Sequence, residues 1–288
     1  MTENSPNKVI AVVGPTASGK TSYSIELAKE LDGEIISADS RLVYKGFDIG
    51  TAKPTIEERQ GIPHHMIDIV EPEIEYSVGQ YAKEGKEIIK DILSRNKTPI
   101  VVGGTGLYIN ALLMNYEFTN AQPDYKLRQE LNNNDNLYEM LYELDEDTAK
   151  KIERNDRKKL IRAIEIIKST GEKISHKKGE KEFNIEWIGR NYERAELYER
   201  INKRVDLMLE QGLVDETKNL LQKHGRISNI INTIGYQEIL SYLDGELTLE
   251  EAADKLKQNT RRYAKRQMTW FRKNPEIKWN VYPETLKK

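Results

Sequence analysis

The 288-residue chain contains no cysteine, which excludes disulfides, thiolate zinc sites and cysteine nucleophiles together. It has only 4 histidines, and the two neighbours among them, His64 and His65, would point to opposite faces of an extended segment, a poor metal pair. No apolar run approaches the roughly 20 residues that a membrane helix needs. The first such run, Val9 to Val13, follows the polar stretch Met1 to Lys8 and ends at once in glycine, too short also for a signal peptide. The expectation is a cytoplasmic protein with no membrane contact, no obligate protein partner and a monomeric state. Internal repeats and low-complexity tracts are absent as well. A net charge of -2, from 45 basic and 47 acidic residues, says little about partners, because a near-neutral chain can still gather Lys and Arg on one face.

What is present suits a soluble enzyme: 32% charged and 38% hydrophobic residues, in a chain long enough for one elaborated domain or a domain with an insertion. Lys8 to Gly14 reads as a strand buried on both faces. Ser22 to Leu31 follows as a helix, with Ile25, Leu27, Ala28 and Leu31 on one face and Asp32-Gly33 as a stop. Glu34 to Ala38 reads as a second strand, Ser77 to Leu93 as an amphipathic helix and Pro99 to Gly104 as a third strand. That alternation predicts an α/β fold, a P-loop NTPase-like parallel sheet flanked by helices. From 120 to 182 strand-like runs vanish and short Glu-, Lys-, Asn- and Leu-rich helices take over, predicting a helical insertion. The core is then 1–119 with 183–288, resuming in a strand at Phe183 to Gly189, a helix at Arg194 to Glu210 and a long helix at Thr248 to Lys273. Tyr198, Val205, Leu207 and Leu209 are expected in the core of the second of these.

The segment Gly14, Pro15, Thr16, Ala17, Ser18, Gly19, Lys20, Thr21 fits G-x-x-x-x-G-K-[ST] between a strand and a helix, as a phosphate cradle requires. Backbone amides at a positive helix end would surround diphosphate oxygens, Lys20 would neutralise them and Thr21 would hold Mg2+. P-loop NTPases generally add a carboxylate at the end of a later strand to hold that metal. Here the run Pro99 to Val102 passes into Gly103, Gly104, Thr105 and Gly106 without an acid, whereas Asp39 ends the second strand. Strand carboxyl ends line the ligand crevice of such sheets, so Asp39 and Thr105 are both expected to face the phosphates. Taken alone, Asp39 fits a cap, a magnesium ligand or a general base.

The string IISADSRLVYKGFDIGTAKP, Ile35 to Pro54, resembles a signature of the tRNA dimethylallyltransferase family. Similar blocks follow in the family's order: PHHMIDI from Pro63, VVGGTGLYI from Val101, LYERINKRVDLML from Leu197, IGYQEI from Ile234 and RRYAKRQMTWFRK from Arg261. Leu42 stands where many members carry glutamine. The resemblance implies dimethylallyl diphosphate as donor and, as acceptor, the adenine 3′ of the anticodon (position 37) in tRNAs reading codons that begin with U. It implies Asp39 as base for the adenine amine, Arg204 beside the leaving diphosphate and Thr105 against the donor. The adenine must be flipped out of its loop to react. The tRNA anticodon stem-loop is then expected at Asp39, Ser40, Arg41, Leu42 and Thr105, at Arg128, Lys158, Lys159, Leu160, Ile161 and Arg162, and at Asn232, Thr233, Ile234, Gly235, Tyr236 and Gln237.

The stretch Arg261 to Lys273 carries six basic residues and no acid. Arg261, Arg262, Lys265 and Arg266 are expected on RNA backbone, with Tyr263, Trp270 and Phe271 packed inward. The competing functions are a small-molecule kinase using ATP, a prenyltransferase of free adenine nucleotides and a nucleotide-gated RNA-binding protein. The basic C-terminal helix and the missing acid after Val102 speak against the kinase.

Overall fold

A computed structural model describes residues 7–114, 121, 123–174 and 182–282 of the chain. Among them, strands β1 (Lys8–Val13), β2 (Gly33–Ser37), β3 (His64–His65), β4 (Thr98–Gly103), β5 (Asn184–Tyr192) and β6 (Lys278–Tyr282) form one sheet in the order β3-β2-β4-β1-β5-β6. Every pairing is parallel. The central strands β1 and β4 pair from Ile10↔Ile100 to Val13↔Gly103, and their apolar residues are buried on both faces. This is why they appear in the sequence as unbroken runs rather than as alternation. β3 and β6 escape periodicity, the first because it is two residues long and the second because only its pairing with β5 makes it a strand.

The helices of this unit are α1 (Lys20–Glu30), α2 (Val78–Ser94), α3 (Gly106–Leu113), α8 (Arg194–Glu210), α9 (Leu213–His224), α10 (Ser228–Ile231), α11 (Tyr236–Leu243) and α12 (Leu249–Phe271), numbered in chain order with the insertion's helices given below. Their starts are written locally. Ser77 caps α2 by accepting from Gln80 N–H at 3.1 Å, and Thr248 with Glu251 forms a reciprocal capping box at α12. α8 buries Leu197, Ile201, Val205 and Met208 at steps of four and three. Leu207 is 53% exposed, contrary to expectation, because two residues past Val205 is about 200° around the helix. Trp270 corrects the expectation in the same way: Phe271 is buried, but Trp270 is 40% exposed. Its indole lies against Gly106, where an added Cβ would meet it at 2.1 Å.

The chain separates into two compact units, 1–114 with 181–288, and 115–180, limits a few residues from those expected of the core and insertion. The second unit holds α4 (Tyr125–Asn132), α5 (Leu137–Leu144), α6 (Glu146–Ala149) and α7 (Arg157–Thr170). Leu131, Leu137, Leu141, Leu160, Ile161 and Ile164 make its own apolar core. At its centre the fully buried Glu165 takes Arg128 through Nε at 2.8 Å and Nη2 at 3.1 Å, with Arg162 on its other side.

Glu165→Ala should destabilise this unit by about 2–3 kcal/mol, less than the roughly 3–5 kcal/mol for removing one partner of a fully buried pair, because both arginines keep some solvent. Denaturant unfolding and hydrogen exchange along α7 measure it.

Candidate active site

The carboxyl ends of β1, β2 and β4, with α8 and α12, enclose a cavity of about 540 Å³. Its cradle is the turn between β1 and α1. Gly14 has a φ of 153°, and a Cβ there would fall 2.1 Å from the Arg190 carbonyl oxygen, so no other residue fits. Ala17, at φ 61°, carries a left-handed backbone that costs about 1 kcal/mol. It is held from outside by Arg200, whose Nε donates to the Ala17 oxygen at 3.0 Å while its guanidinium stacks 4.2 Å over Tyr192. Gly19, also left-handed, starts α1 with no side-chain cap, leaving the first amides of the helix for an anion. The buried Ser18 hydroxyl has no hydrogen-bond partner among the described residues.

Two cations face this turn. Lys20 Nζ donates to the Pro15 oxygen at 2.6 Å, and its pKa is brought down to about 7 by burial and by Arg204, with Asp39 acting against them. Arg204, from α8, donates through Nη1 to Thr16 Oγ1 at 3.2 Å and through Nη2 to the Ala52 oxygen at 3.5 Å. Both cations line the cavity, as does Asp39.

Asp39 sits two residues past β2, where the ends of β2 and β4 interlock: Ala38 N–H donates to the Val102 oxygen at 2.7 Å and Thr105 N–H to the Ala38 oxygen at 3.2 Å. Asp39 Oδ1 accepts from Arg41 N–H at 2.8 Å, closing an Asx turn. Its second oxygen has no hydrogen bond among the described residues. Thr105 Oγ1 accepts from Ser40 N–H at 3.2 Å and shares a hydrogen bond with Tyr263, whose phenol burial pushes up to about 12. Thr105, half-buried at the end of β4, thus braces the turn that carries Asp39. The acid missing after Val102 is supplied by the neighbouring strand.

The opposite wall, Gly50 to Ala52, is held by Glu216. Its carboxylate accepts from Ile49 N–H at 2.7 Å, Gly50 N–H at 2.9 Å and Tyr236 O–H at 2.7 Å. Ile67, Val205, Met208 and Leu256 add apolar surface. His64 also lines the cavity, its Nδ1 paired with the Ile62 oxygen at 2.8 Å and its pKa lowered by burial. His65 turns the other way, to Glu34 at 2.8 Å.

Of the residues expected in the site, Thr16, Lys20, Thr21, Asp39, Ser40, Arg41, Leu42, Arg204, Asn232, Thr233, Ile234, Gln237 and Arg266 all line this cavity. Tyr236 does not reach RNA: it is fully buried, edge-on to Phe47 with ring centres 4.9 Å apart. Gly235 serves the backbone, donating its N–H to Glu238 at 2.8 Å. Leu160 and Ile161 are core residues of the second unit and are likewise withdrawn as contacts. Arg128 and Arg162 are engaged with Glu165, while Lys158 and Lys159 are exposed. Arg261 is tied to Asn202 Oδ1 at 2.6 Å, leaving Arg262, Lys265 and Arg266 exposed on α12. Glu216, Arg200 and Gln267 were not expected in the site from the sequence. The last was findable: Asn259, Thr260, Tyr263 and Gln267 recur at helical spacing as a polar strip.

Among the described residues no group of three or more His, Asp or Glu could hold a metal by itself. Thr21 beside a diphosphate site does fit magnesium, which typically keeps waters and takes phosphate oxygens.

The family profile described as IPP transferase matches residues 42–274. A tRNA dimethylallyltransferase of Anoxybacillus flavithermus is 48% identical over 278 residues, covering 94% of this chain and 89% of that protein. The solved full-length tRNA isopentenylpyrophosphate transferase of Bacillus halodurans is 45% identical, with a TM-score of 0.73 over 96% of this chain and 90% of the other. A eukaryotic dimethylallyltransferase acting on tRNA superposes with a TM-score of 0.85 at 32% identity, covering 96% of this chain and 74% of its own.

Since Lys20 has a pKa of about 7, its amine is mostly neutral at pH 8 and mostly charged at pH 6. A bound anion favours the charged form, so inorganic diphosphate should draw in about one proton at pH 8 and progressively less below pH 7. Affinity at this site should therefore weaken as pH rises through 7. Calorimetry in two buffers of different ionisation enthalpy measures the uptake, and Lys20→Met, which should lack it, subtracts the ligand's own titration.

Proposed function

The chain belongs to the IPP transferase family, and from that membership we propose that its cavity transfers a dimethylallyl group from dimethylallyl diphosphate to the N6 amine of a tRNA adenine, releasing diphosphate. The observation that carries this reading is the opposition, in one cavity, of two half-buried cations at an anion cradle and one carboxylate with a free oxygen. The cations suit a leaving diphosphate, and the carboxylate suits a proton leaving an amine.

In the reaction the donor's C1–O bond breaks and a C1–N6 bond forms. Lys20, Arg204 and the amides at the start of α1 stabilise the charge that develops on the diphosphate. Magnesium, held by Thr21 with diphosphate oxygens and water, would supply further neutralisation of that charge. Asp39 takes the amine proton on its free oxygen, while the Arg41 amide and the Thr105–Ser40 bond keep its turn in place. The apolar lining from Ile67, Val205, Met208 and Leu256 suits a five-carbon tail.

The finer parts of the reading are the acceptor at position 37, 3′ of the anticodon, in tRNAs reading U-starting codons, and the RNA contacts. An adenine extruded from its loop meets Asp39, Ser40, Arg41 and Leu42 on one side of the cavity and Asn232, Thr233, Ile234 and Gln237 on another. Arg262, Lys265 and Arg266 hold the backbone, and in the helical unit the exposed Lys158 does the same, with Lys159 exchanging its ion pair to Asp156 for a phosphate.

The test is incubation of the protein with magnesium, dimethylallyl diphosphate and unmodified tRNA. One adenine 3′ of the anticodon should gain C5H8, with diphosphate released; turnover of ATP onto a metabolite with the RNA unaltered would refute the assignment. Asp39→Ala should leave tRNA affinity within a few-fold but slow single-turnover transfer by about 10²-fold or more, and near-normal transfer would remove Asp39 as the base. Neutralising both Arg262 and Lys265 should reduce the slope of log K against log salt for tRNA binding by about two.

A further inference from the structure

Gln267 lies on α12 one turn past Tyr263 and is 5% exposed. Each end of its amide grips a different loop. Oε1 accepts from Thr16 N–H at 2.8 Å, and Nε2 donates to the Gly104 oxygen at 2.9 Å. A primary amide is the side-chain group that offers an acceptor and a donor at once in this way; a carboxylate accepts only, and a thioether does little of either. Gly104 makes room for it, since a Cβ there would sit 2.1 Å from Nε2.

The two loops are those that transfer must align. Thr16 belongs to the diphosphate cradle and receives Arg204 Nη1 at 3.2 Å. Gly104 precedes Thr105, whose hydroxyl accepts from Ser40 N–H beside Asp39. The β1–β4 ladder that joins the parent strands stops at Val13↔Gly103, so beyond that pair the sheet no longer sets the spacing. The Gln267 amide is the next link across the gap.

Resting on the function proposed above, we propose that Gln267 is a positioning residue for the transfer step. It sets the separation between the cradle that holds the leaving group and the turn that takes the proton. It touches these through Thr16 and Gly104, and it does so from the helix that also presents Arg262, Lys265 and Arg266.

The experiment uses the full chain with magnesium, dimethylallyl diphosphate and unmodified tRNA, comparing Gln267→Met and Gln267→Glu with wild type from pH 5.5 to 8.5 in single-turnover and steady-state assays. Misplacement of this kind costs up to about 10²-fold. Gln267→Met should lose roughly 10- to 100-fold in single-turnover rate with donor KM within about threefold of wild type, at a ratio to wild type that is flat with pH. Gln267→Glu should lose at least as much at pH 8 and recover relative to wild type on acidification, because a protonated carboxyl regains a donor for the Gly104 oxygen. A Met variant within twofold of the wild-type rate overturns the proposal, as does a rise in donor KM with the rate unchanged. Where thermal melts show the Met variant unfolded, the Glu variant decides, and a flat ratio to wild type overturns it. Absence of transfer by the wild type instead refutes the function on which the proposal rests.

Discussion

Two cations brought close together on the wall of one cavity, with too little negative charge to satisfy them, are the constraint around which this molecule is organised. Burial and Arg204 both work against the Lys20 ammonium, and Asp39 offsets them only in part. Arg204 suffers the same desolvation. Such an arrangement costs stability in isolation, and a polyanion entering the cradle reverses the sign of the interaction. The site therefore prefers a group that gains charge as it departs, which is the requirement for cleaving an allylic diphosphate.

Holding that preference in place takes most of the first unit. The cradle hangs between β1 and α1, the carboxylate follows β2, and the brace at Thr105 follows β4, so three adjacent strand ends each supply one part. α8 contributes Arg204 and the outer support Arg200. Glu216 fixes the far wall through three hydrogen bonds, which lets a loop without regular structure form a defined surface. The second unit is self-contained in its core, and two of its basic residues are committed to Glu165.

Much of this was legible beforehand, for physical reasons that can be named. The central strands announce themselves because both faces are buried, the P-loop because its spacing is imposed by phosphate geometry, and α8 because its stripe repeats at helical steps. Asp39 was legible as the acid that the β4 end lacks. Illegible were the roles that depend on what lies across space. Nothing in the composition of α11 distinguishes Tyr236, a buried anchor on Glu216, from Gln237 beside it, which faces the cavity. Leu160 and Ile161 sit between basic residues that face outward and were grouped with them. Trp270 was expected inside because it is aromatic, whereas the packing of Gly106 leaves one side of it open.

The amino-acid order alone determined the fold class, the cradle, the place of Asp39 at a neighbouring strand end and the family, because each rests on short-range geometry or on patterns that repeat along the chain. The tertiary structure alone decided which side chains share the cavity, that Thr105 braces the Asp39 turn, and that an amide on α12 joins two loops more than 150 residues away in the chain. Those contacts are made between elements whose separation in the sequence carries no periodic signal, so only the packing of the helices on the sheet could reveal them.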